Sequence, residues 1–498
     1  MADTDTEAAA DKAAVDSETA GGQEMPPTYD EANPLTGGED TNVKIQEKQE
    51  TKIDIGKESG KEKEAFEGLT KEELMKYAND PYWVRLRWAL FILFWIIWVA
   101  MLVSSIVIII YAPKCPSPEP KEWWQKNAMV KVDVKTYSDG KLAGLQDKLD
   151  LFAESGVGTL YISSLFQAPT SGSRAFLTDY KTVDAQLGSM DDWKAFVSAL
   201  KDRDQKVVID FLTNAASYQD LDLGNSEVVQ ELEQVMRFWL DTGVNGFVVE
   251  VGEESGVLAG FRRLLDAATE ETGVPCVLMT APAPALGLDQ VVALYGEEEA
   301  GLAQLPLYRG PVAAPASAAA LETSLDTYLA QLPAGAWPSL GWSSLTAGPG
   351  LVDAMTMLKM MLPGTPLFST EEVFLQDSQT SHLEIFSTLA SKMRHQDSIL
   401  FGELTQNTTF VRDNVFGLTR VKKGNPGYLL LINFGDAEVE VDVSEAKFVP
   451  EAIRLMTRSV EAGEAGPAEE AEVKRFESTS VLVKPSEGRV FTFVPKYD

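Results

Sequence analysis

One stretch of the chain departs from the rest in its hydrophobic pattern. Trp88 to Tyr111, "WALFILFWIIWVAMLVSSIVIIIY", runs for 24 residues without a charge. Wound as a helix, such a run is long enough to cross the hydrocarbon core of a bilayer, and no other segment is comparable. It starts far from the N-terminus, is too long for a signal-peptide core, and is followed by "YAPKCP", which has no small-residue cleavage pattern. The pattern therefore predicts one uncleaved signal anchor over 88–111. Just before it, "TKEELMKYANDPYW" has helical spacing, with Thr70 as N-cap and Glu73 three residues on. This predicts an amphipathic juxtamembrane helix over 70–87, lying against the inner leaflet.

After the span comes the Pro-rich "APKCPSPEPKEWW", which predicts a stiff, extended neck over 112–127. It ends in Trp123 and Trp124, which have two possible seats, the membrane interface or the folded domain; packing on the domain is preferred. From 128 short β-branched runs alternate with amphipathic stretches: "AMVKVDVKTY", "LAGLQDKLDLFAES", "GTLYISSLF", "MDDWKAFVSALKDR", "KVVIDFL" and onward. Strand and helix in turn demand parallel pairing and right-handed crossovers. The alternation weakens through the Ala- and Pro-rich 281–340, then returns as "LVDAMTMLKMML" and "TPLFST". About eight such units predict a closed (β/α)8 barrel over 128–404. From 405 to 498 strands follow one another without helices, as in "GYLLLINF" and "RVFTFVPK", which predicts a small antiparallel β-sandwich. The fold class is α/β: a single transmembrane helix, a barrel and a C-terminal sandwich.

Composition changes the picture at the N-terminus. Residues 1–69 are rich in Ala, Asp, Glu, Thr, Gly and Lys and nearly devoid of aromatics, so they cannot bury enough apolar surface to offset ordering, and a disordered tail is predicted. Within it, Pro26, Pro27 and Tyr29 of "PPTY" have the form of a WW-domain ligand, although so short a pattern also arises by chance. The net charge of −32 opposes approach to nucleic acid, and none is expected as a partner. Orientation is not decided by flanking charge, since Lys76, Arg85 and Arg87 before the span are matched by Lys114, Lys121 and Lys126 after it. The tail is placed in the cytosol because it is long and polar with no targeting signal, while large downstream domains translocate regardless of flanking charge. A single-pass type II protein of the plasma membrane is expected.

The chain has two cysteines, Cys115 and Cys276. Cys276, in the apolar "VPCVLM", reads as a buried, inert thiol. Cys115 lies about four residues beyond the span in an oxidising compartment. A bridge between them would need Cα atoms within about 7 Å, which a membrane-proximal neck and a barrel strand do not offer. A leftover external thiol points to an intermolecular disulfide; a homodimer and a free thiol are the alternatives. Asn407 heads the only N-x-S/T sequon, "NTT", and is a glycosylation candidate. Ala100 and Ser104 lie four apart in the span, where small side chains let a partner helix approach. No metal site or cofactor is expected.

The stretches "LAGLQDKLDLFAESGVGTLYISSLF" and "TDYKTVDAQLGSMDDWKAFVSALKDRDQKVVIDFLTN" resemble the first three barrel strands of the α-amylase superfamily. "GVNGFVVE" is similar to its fourth-strand motif and "LPGTPLFSTEE" to its eighth. The resemblance implies sugar-cleaving machinery: an Asp nucleophile ending strand four, an Arg two residues earlier, a Glu acid on strand five, a further Asp and two His. Two carboxylates must flank one bond. Here Val248 stands in the Arg slot and Glu250 in the nucleophile slot, one methylene too long. "CVLMTAPAPALG" offers no acid, and Ala215 follows Asn214 where a His is expected. The only histidines, His382 and His395, come after strand eight. Asp210 and Asn214 read as retained polar groups of the scaffold, and Glu250 as a polar residue at the barrel mouth. The segment after strand three is also too short for the inserted domain of sugar-cleaving members. The expectation is a barrel kept without its chemistry.

An anchor, a neck and a catalytically empty amylase-like barrel together resemble the heavy subunits of heteromeric amino-acid transporters, with "TKEELMKYANDPYWVRLRWALFILFWIIW" and "APKCP" carrying the likeness. The resemblance implies a non-catalytic subunit joined through Cys115 to a multi-span light chain that exchanges neutral or cationic amino acids. It also implies escort of that light chain to the plasma membrane, and engagement of integrins by anchor and tail. The rival readings are a membrane-tethered glycosidase or sugar-binding receptor, and an adhesion scaffold without a transporter.

Overall fold

The computed structural model describes residues 71–112, 119–137, 139–166, 180–211, 223–251, 255–282, 292, 294–295, 305–308, 316–333, 335–347, 350–375, 379–402, 404, 409–459 and 475–497. These fall in two compact units, Met1–Pro113 and Lys114–Asp498.

The first unit holds two helices, α1 (Lys71–Ala78) and α2 (Pro81–Tyr111). One helix over 70–87 was the expectation; instead the chain breaks at Asn79 and Asp80. The reason is Pro81, which has no N–H to give to a preceding turn and disfavours helical geometry in the residue before it. At the first position of a new helix the same ring is favourable. Asp80 caps that helix, its Oδ1 accepting from the Tyr82 N–H at 3.1 Å. Residues 81–87 are thus continuous with the apolar run in a helix of 31 residues, roughly 46 Å long at 1.5 Å per residue. None of its residues is buried within the chain. Trp88, Phe91, Trp95 and Trp98 form an edge-to-face ladder along it, with ring centroids 5.9, 6.2 and 5.5 Å apart. Thr70, the expected cap of α1, lies outside the described residues.

The second unit opens with one helical turn, α3 (Trp123–Lys126), held by a reciprocal capping box between Glu122 and Gln125. Eight parallel strands then close a barrel in sequence order: β1 (Ala128–Asp133), β2 (Val157–Ser163), β3 (Lys206–Asp210), β4 (Gly246–Val251), β5 (Val277–Pro282), β6 (Leu305–Tyr308), β7 (Ser339–Leu340) and β8 (Thr365–Ser369). Alternate residues face opposite sides. Val130, Ile162, Ile209, Phe247, Leu278 and Phe368 pack outward in the strand–helix layer. Met129, Tyr161, Val208, Val248, Met279 and Leu367 fill the interior. The crossover helices present matching stripes: α4 (Met190–Lys201) buries Trp193, Phe196, Val197 and Leu200, and α5 (Ser226–Asp241) buries Leu232, Val235, Met236 and Trp239. Further crossovers are α6 (Ser255–Thr272), α7 (Ala318–Gln331) and α8 (Val352–Met361), with α9 (Gln379–Thr388) after β8.

The N-terminal end of the barrel is closed by the neck. The Trp124 carbonyl accepts from the Thr365 hydroxyl at 2.5 Å, and the indole N–H of Trp337 donates to that hydroxyl at 3.1 Å. Trp123 donates its indole N–H to the Pro275 carbonyl at 2.8 Å. The Lys121 ammonium sits 4.4 Å from the centre of the Trp337 ring. The tryptophan pair therefore packs on the domain. Arg394, fully buried, donates to the carbonyls of Gln125 on α3, Met360 and Gly364, so it fixes the neck to the last crossover.

The C-terminal region is antiparallel. A six-stranded sheet runs β14 (Arg475–Glu477), β13 (Ala452–Arg458), β16 (Gly488–Phe493), β11 (Gly427–Asn433), β10 (Val415–Arg420), β9 (Thr409–Arg412). A two-stranded ribbon of β12 (Val439–Val441) and β15 (Val481–Val483) shares an apolar cluster with it that includes Leu429, Leu431, Val441, Val481 and Phe491. The sheet also meets α8, and the approach is close: a Cβ on Gly488 would lie 2.8 Å from Ala354. Arg420 of β10 reaches back to donate to the carbonyls of Met361 and Ile399.

Replacing Trp124 by Ala should cost about 3–5 kcal/mol, because it empties the barrel floor. A denaturant midpoint equal to that of the wild type would show that the neck does not support the barrel.

Candidate functional site

Chemistry on a parallel barrel sits at the C-terminal ends of its strands. The described inward positions there begin with Asp210 at the end of β3. Its carboxylate accepts from the Tyr161 hydroxyl of β2 and, at 3.3 Å, from the Ser164 N–H. Asp210 is thus engaged sideways with its neighbouring strand. The Lys131 ammonium of β1 lies 5.3 Å from the Tyr161 ring centre, and Lys131 is itself exposed, so this side of the mouth is open to water. Sequence reasoning picked out Asp210 but missed Tyr161. Its signal is its place in "GTLYISS", where alternation turns the tyrosine inward beside two small polar residues.

Val248 pairs in register with Asp210 on one side and Met279 on the other. It is 1% exposed and packs among Val208, Tyr161 and Met279. Val248, expected from the resemblance to stand in a guanidinium slot, is part of the apolar core. Glu250 pairs along the backbone with Ala281, two residues nearer the mouth; its side chain lies outside the described residues. So do Asn214, Ala215, Cys115, Asn407, Pro26, Pro27 and Tyr29.

Neither histidine serves the mouth. His382 on α9 is 1% exposed, its Nδ1 lying 2.5 Å from Asp353 Oδ1 and its Nε2 2.7 Å from the Glu372 carbonyl. It bridges α8 to the segment after β8. His395 is exposed at the other end of the barrel, where it lines the floor. Partial desolvation, then the charges of Arg394 and Lys126, hold its pKa below the ordinary value.

A second polar cluster was not anticipated. Lys359 of α8, fully buried, donates to Glu372 at 3.0 Å and to the Leu367 carbonyl at 3.1 Å, with its ammonium 4.2 Å from the centre of the Phe368 ring. Glu372 also accepts from the backbone N–H groups of Ser344 at 2.6 Å and Ser369 at 2.8 Å. Burial pushes the lysine pKa down and Glu372 opposes it. One lysine inside the apolar "LVDAMTMLKMML" was the available signal, because a lone buried cation requires a partner. The geometry is structural: it ties the last crossover to β8.

Among the described residues no group of three His, Cys, Asp or Glu side chains gathers as a metal site. Cys276 is a buried thiol outside any disulfide, pushed up in pKa by its burial. In α2, Ala100 and Ser104 are exposed within the chain and stand one turn apart on the same face.

Two family profiles match the chain: "Solute carrier family 3 member 2 N-terminus" over residues 50–130, and "Alpha amylase, catalytic domain" over residues 119–220. The chain is 26% identical over 471 residues to the amino acid transporter heavy chain SLC3A2 of Oryctolagus cuniculus, a match covering 84% of each. It is 23% identical over 455 residues to the amino acid transporter heavy chain SLC3A1 of Homo sapiens, covering 66% of this chain and 64% of that one. Among solved structures, an Anoxybacillus α-amylase superposes with a TM-score of 0.58 at 15% identity, covering 76% of this chain and all of that one. That likeness is one of fold.

Tyr161→Phe removes a charge-assisted donor from Asp210 and should cost about 1–3 kcal/mol. The check is equilibrium denaturation, and an unchanged midpoint would mean that water replaces the hydroxyl without loss.

Proposed function

Because the chain belongs with the amino acid transporter heavy chains, on the SLC3A2 side, we propose that it is the non-catalytic subunit of a heteromeric transporter, disulfide-linked through Cys115 to a multi-span light chain. The observation that carries the non-catalytic part is Val248. Glycoside cleavage needs a positioned nucleophile and an acid across the bond, and attack geometry matters at the ångström scale. In this barrel the neighbouring cation of the nucleophile is replaced by a buried valine. The nucleophile slot holds the longer Glu250, and strand five brings no acid.

Among the described residues one helix, α2, is long and apolar enough to cross a membrane, which supports a single-pass anchor. A single span cannot form a transport path, so transport belongs to the light chain. This subunit escorts it to the plasma membrane and stabilises it there, with its own N-terminus in the cytosol and its barrel outside. Ala100 and Ser104 give a light-chain helix room for close approach. Asn407 carries a glycan. The tail, through Pro26, Pro27 and Tyr29, and the anchor serve contacts with cytosolic partners and integrins.

The test is a non-reducing gel of surface-labelled protein, wild type beside Cys115→Ser, with the partner band identified by mass spectrometry. The expected result is a larger species in the wild type that collapses with reductant and is missing from the variant; a monomer in both lanes would overturn the covalent link. The purified full-length protein should leave α-glucosides intact. Hydrolysis that disappears in Glu250→Gln would instead establish a tethered glycosidase.

A further inference from the structure

The floor of the barrel carries a cleft of about 520 Å³ between the neck and the starts of β2 and β3, lined by Lys121, Lys126, Asn127, Gln205, Lys206 and His395 among others. Its size lies within the roughly 300–1,000 Å³ of binding pockets. Its charge is opposite in sign to that of the chain, which carries −32 overall. Some of the lining is internally balanced: Lys206 bonds Asp204 at 2.9 Å, and Arg203, which also lines it, bonds Asp150 at 2.7 Å. Glu122 adds one carboxylate, already engaged with the α3 backbone. Lys121 and Lys126 have no carboxylate at ion-pair distance among the described residues.

Behind them stand Arg394 and Arg420, fully buried, whose partners among the described residues are backbone carbonyls. Carbonyl oxygens accept from their terminal nitrogens but do not cancel the charge, and the Nε of each arginine is buried without a partner among the described residues. Burial, together with Arg420, holds the Lys121 ammonium below its usual pKa, and the nearby Glu119 carboxylate only partly opposes them. Cations with few counter-charges over a low-dielectric wall make a positive potential that an incoming carboxylate would relieve.

The place of the cleft in the chain suggests its occupant. Cys115 precedes Lys121 by six residues, at most ~20 Å of fully extended chain. Any polypeptide bonded to Cys115 is therefore confined near the cleft, at an effective concentration in the millimolar range. We propose that the cleft seats an acidic segment of the partner's outer loop, the one that bears the bridging cysteine. This rests on the Cys115 reading above and adds a second, non-covalent contact to it. Gln205, which lines the cleft, donates its amide to the Val157 carbonyl at 2.9 Å and leaves its Oε1 without a partner among the described residues, an acceptor for a backbone N–H of the loop.

The test uses full-length protein co-expressed with the light chain identified from the wild-type disulfide species. A photo-reactive phenylalanine at position 126 should cross-link to a light-chain peptide within a few residues of its bridging cysteine, whereas one at position 194, on exposed α4, should not. In the Cys115→Ser background, Lys126→Glu should lower co-purification of the light chain by about five- to tenfold at low salt, with a smaller difference at high salt. Lys126→Gln should fall between, and Lys194→Glu should match the parent. A disulfide species that forms normally while position 126 labels lipid or nothing, or co-purification indifferent to Lys126→Glu, overturns the cleft and leaves the covalent link standing. Absence of the disulfide species overturns both.

Discussion

The second unit depends on how the floor of the barrel is closed. A parallel barrel leaves an open end where its strands begin, and here the segment just before β1 fills it. Trp124 packs beside Trp337, Thr365 binds the Trp124 carbonyl, and Arg394 draws the Gln125 carbonyl to the turn before β8. The neck is therefore part of the barrel core. Arg420 extends the same fastening to the C-terminal sheet, so neck, barrel and sheet share a set of carbonyls held by two buried guanidinium groups. An Arg suits this work because its five donors spread over several acceptors, whereas a Lys concentrates its charge at one point.

At the mouth, the described side chains are engaged in packing and in bonds between neighbouring strands. Val248 joins the interior apolar layer, and Asp210 is bonded to Tyr161 and Ser164 of the next strand. A carboxylate held in this way fastens the strand pair. The Lys359–Glu372 pair and the His382 bridge show where the ionisable groups have gone, into fastening the last crossover. Breaking such a buried pair on one side is costly because the remaining charge has nowhere to go.

Much of this was legible in the sequence because it depends on period and length. The apolar run of α2 exceeds anything a soluble core helix requires. The strand–helix alternation leaves a parallel barrel as the economical closure, and the helix-free tail reads as antiparallel sheet. The break before α2 was legible too, since Pro81 marks it, but the amphipathic pattern runs across that proline and hides it. The inward place of Val248 was legible as well, because alternation along one strand fixes which residues face the barrel interior.

By itself the sequence determined the long apolar helix, the parallel barrel and the helix-free C-terminal strands, because these are properties of neighbouring positions. Only the tertiary structure decided that Trp124 closes the barrel, that Tyr161 meets Asp210, that Lys359 finds Glu372, and that unneutralised cations of neck and floor border one cleft. Those pairs are up to 241 residues apart, as Trp124 and Thr365 are. No periodicity reports a contact at that separation, because which side chains meet is set by barrel closure and strand register, and a shift of one residue would turn each of them to the opposite face.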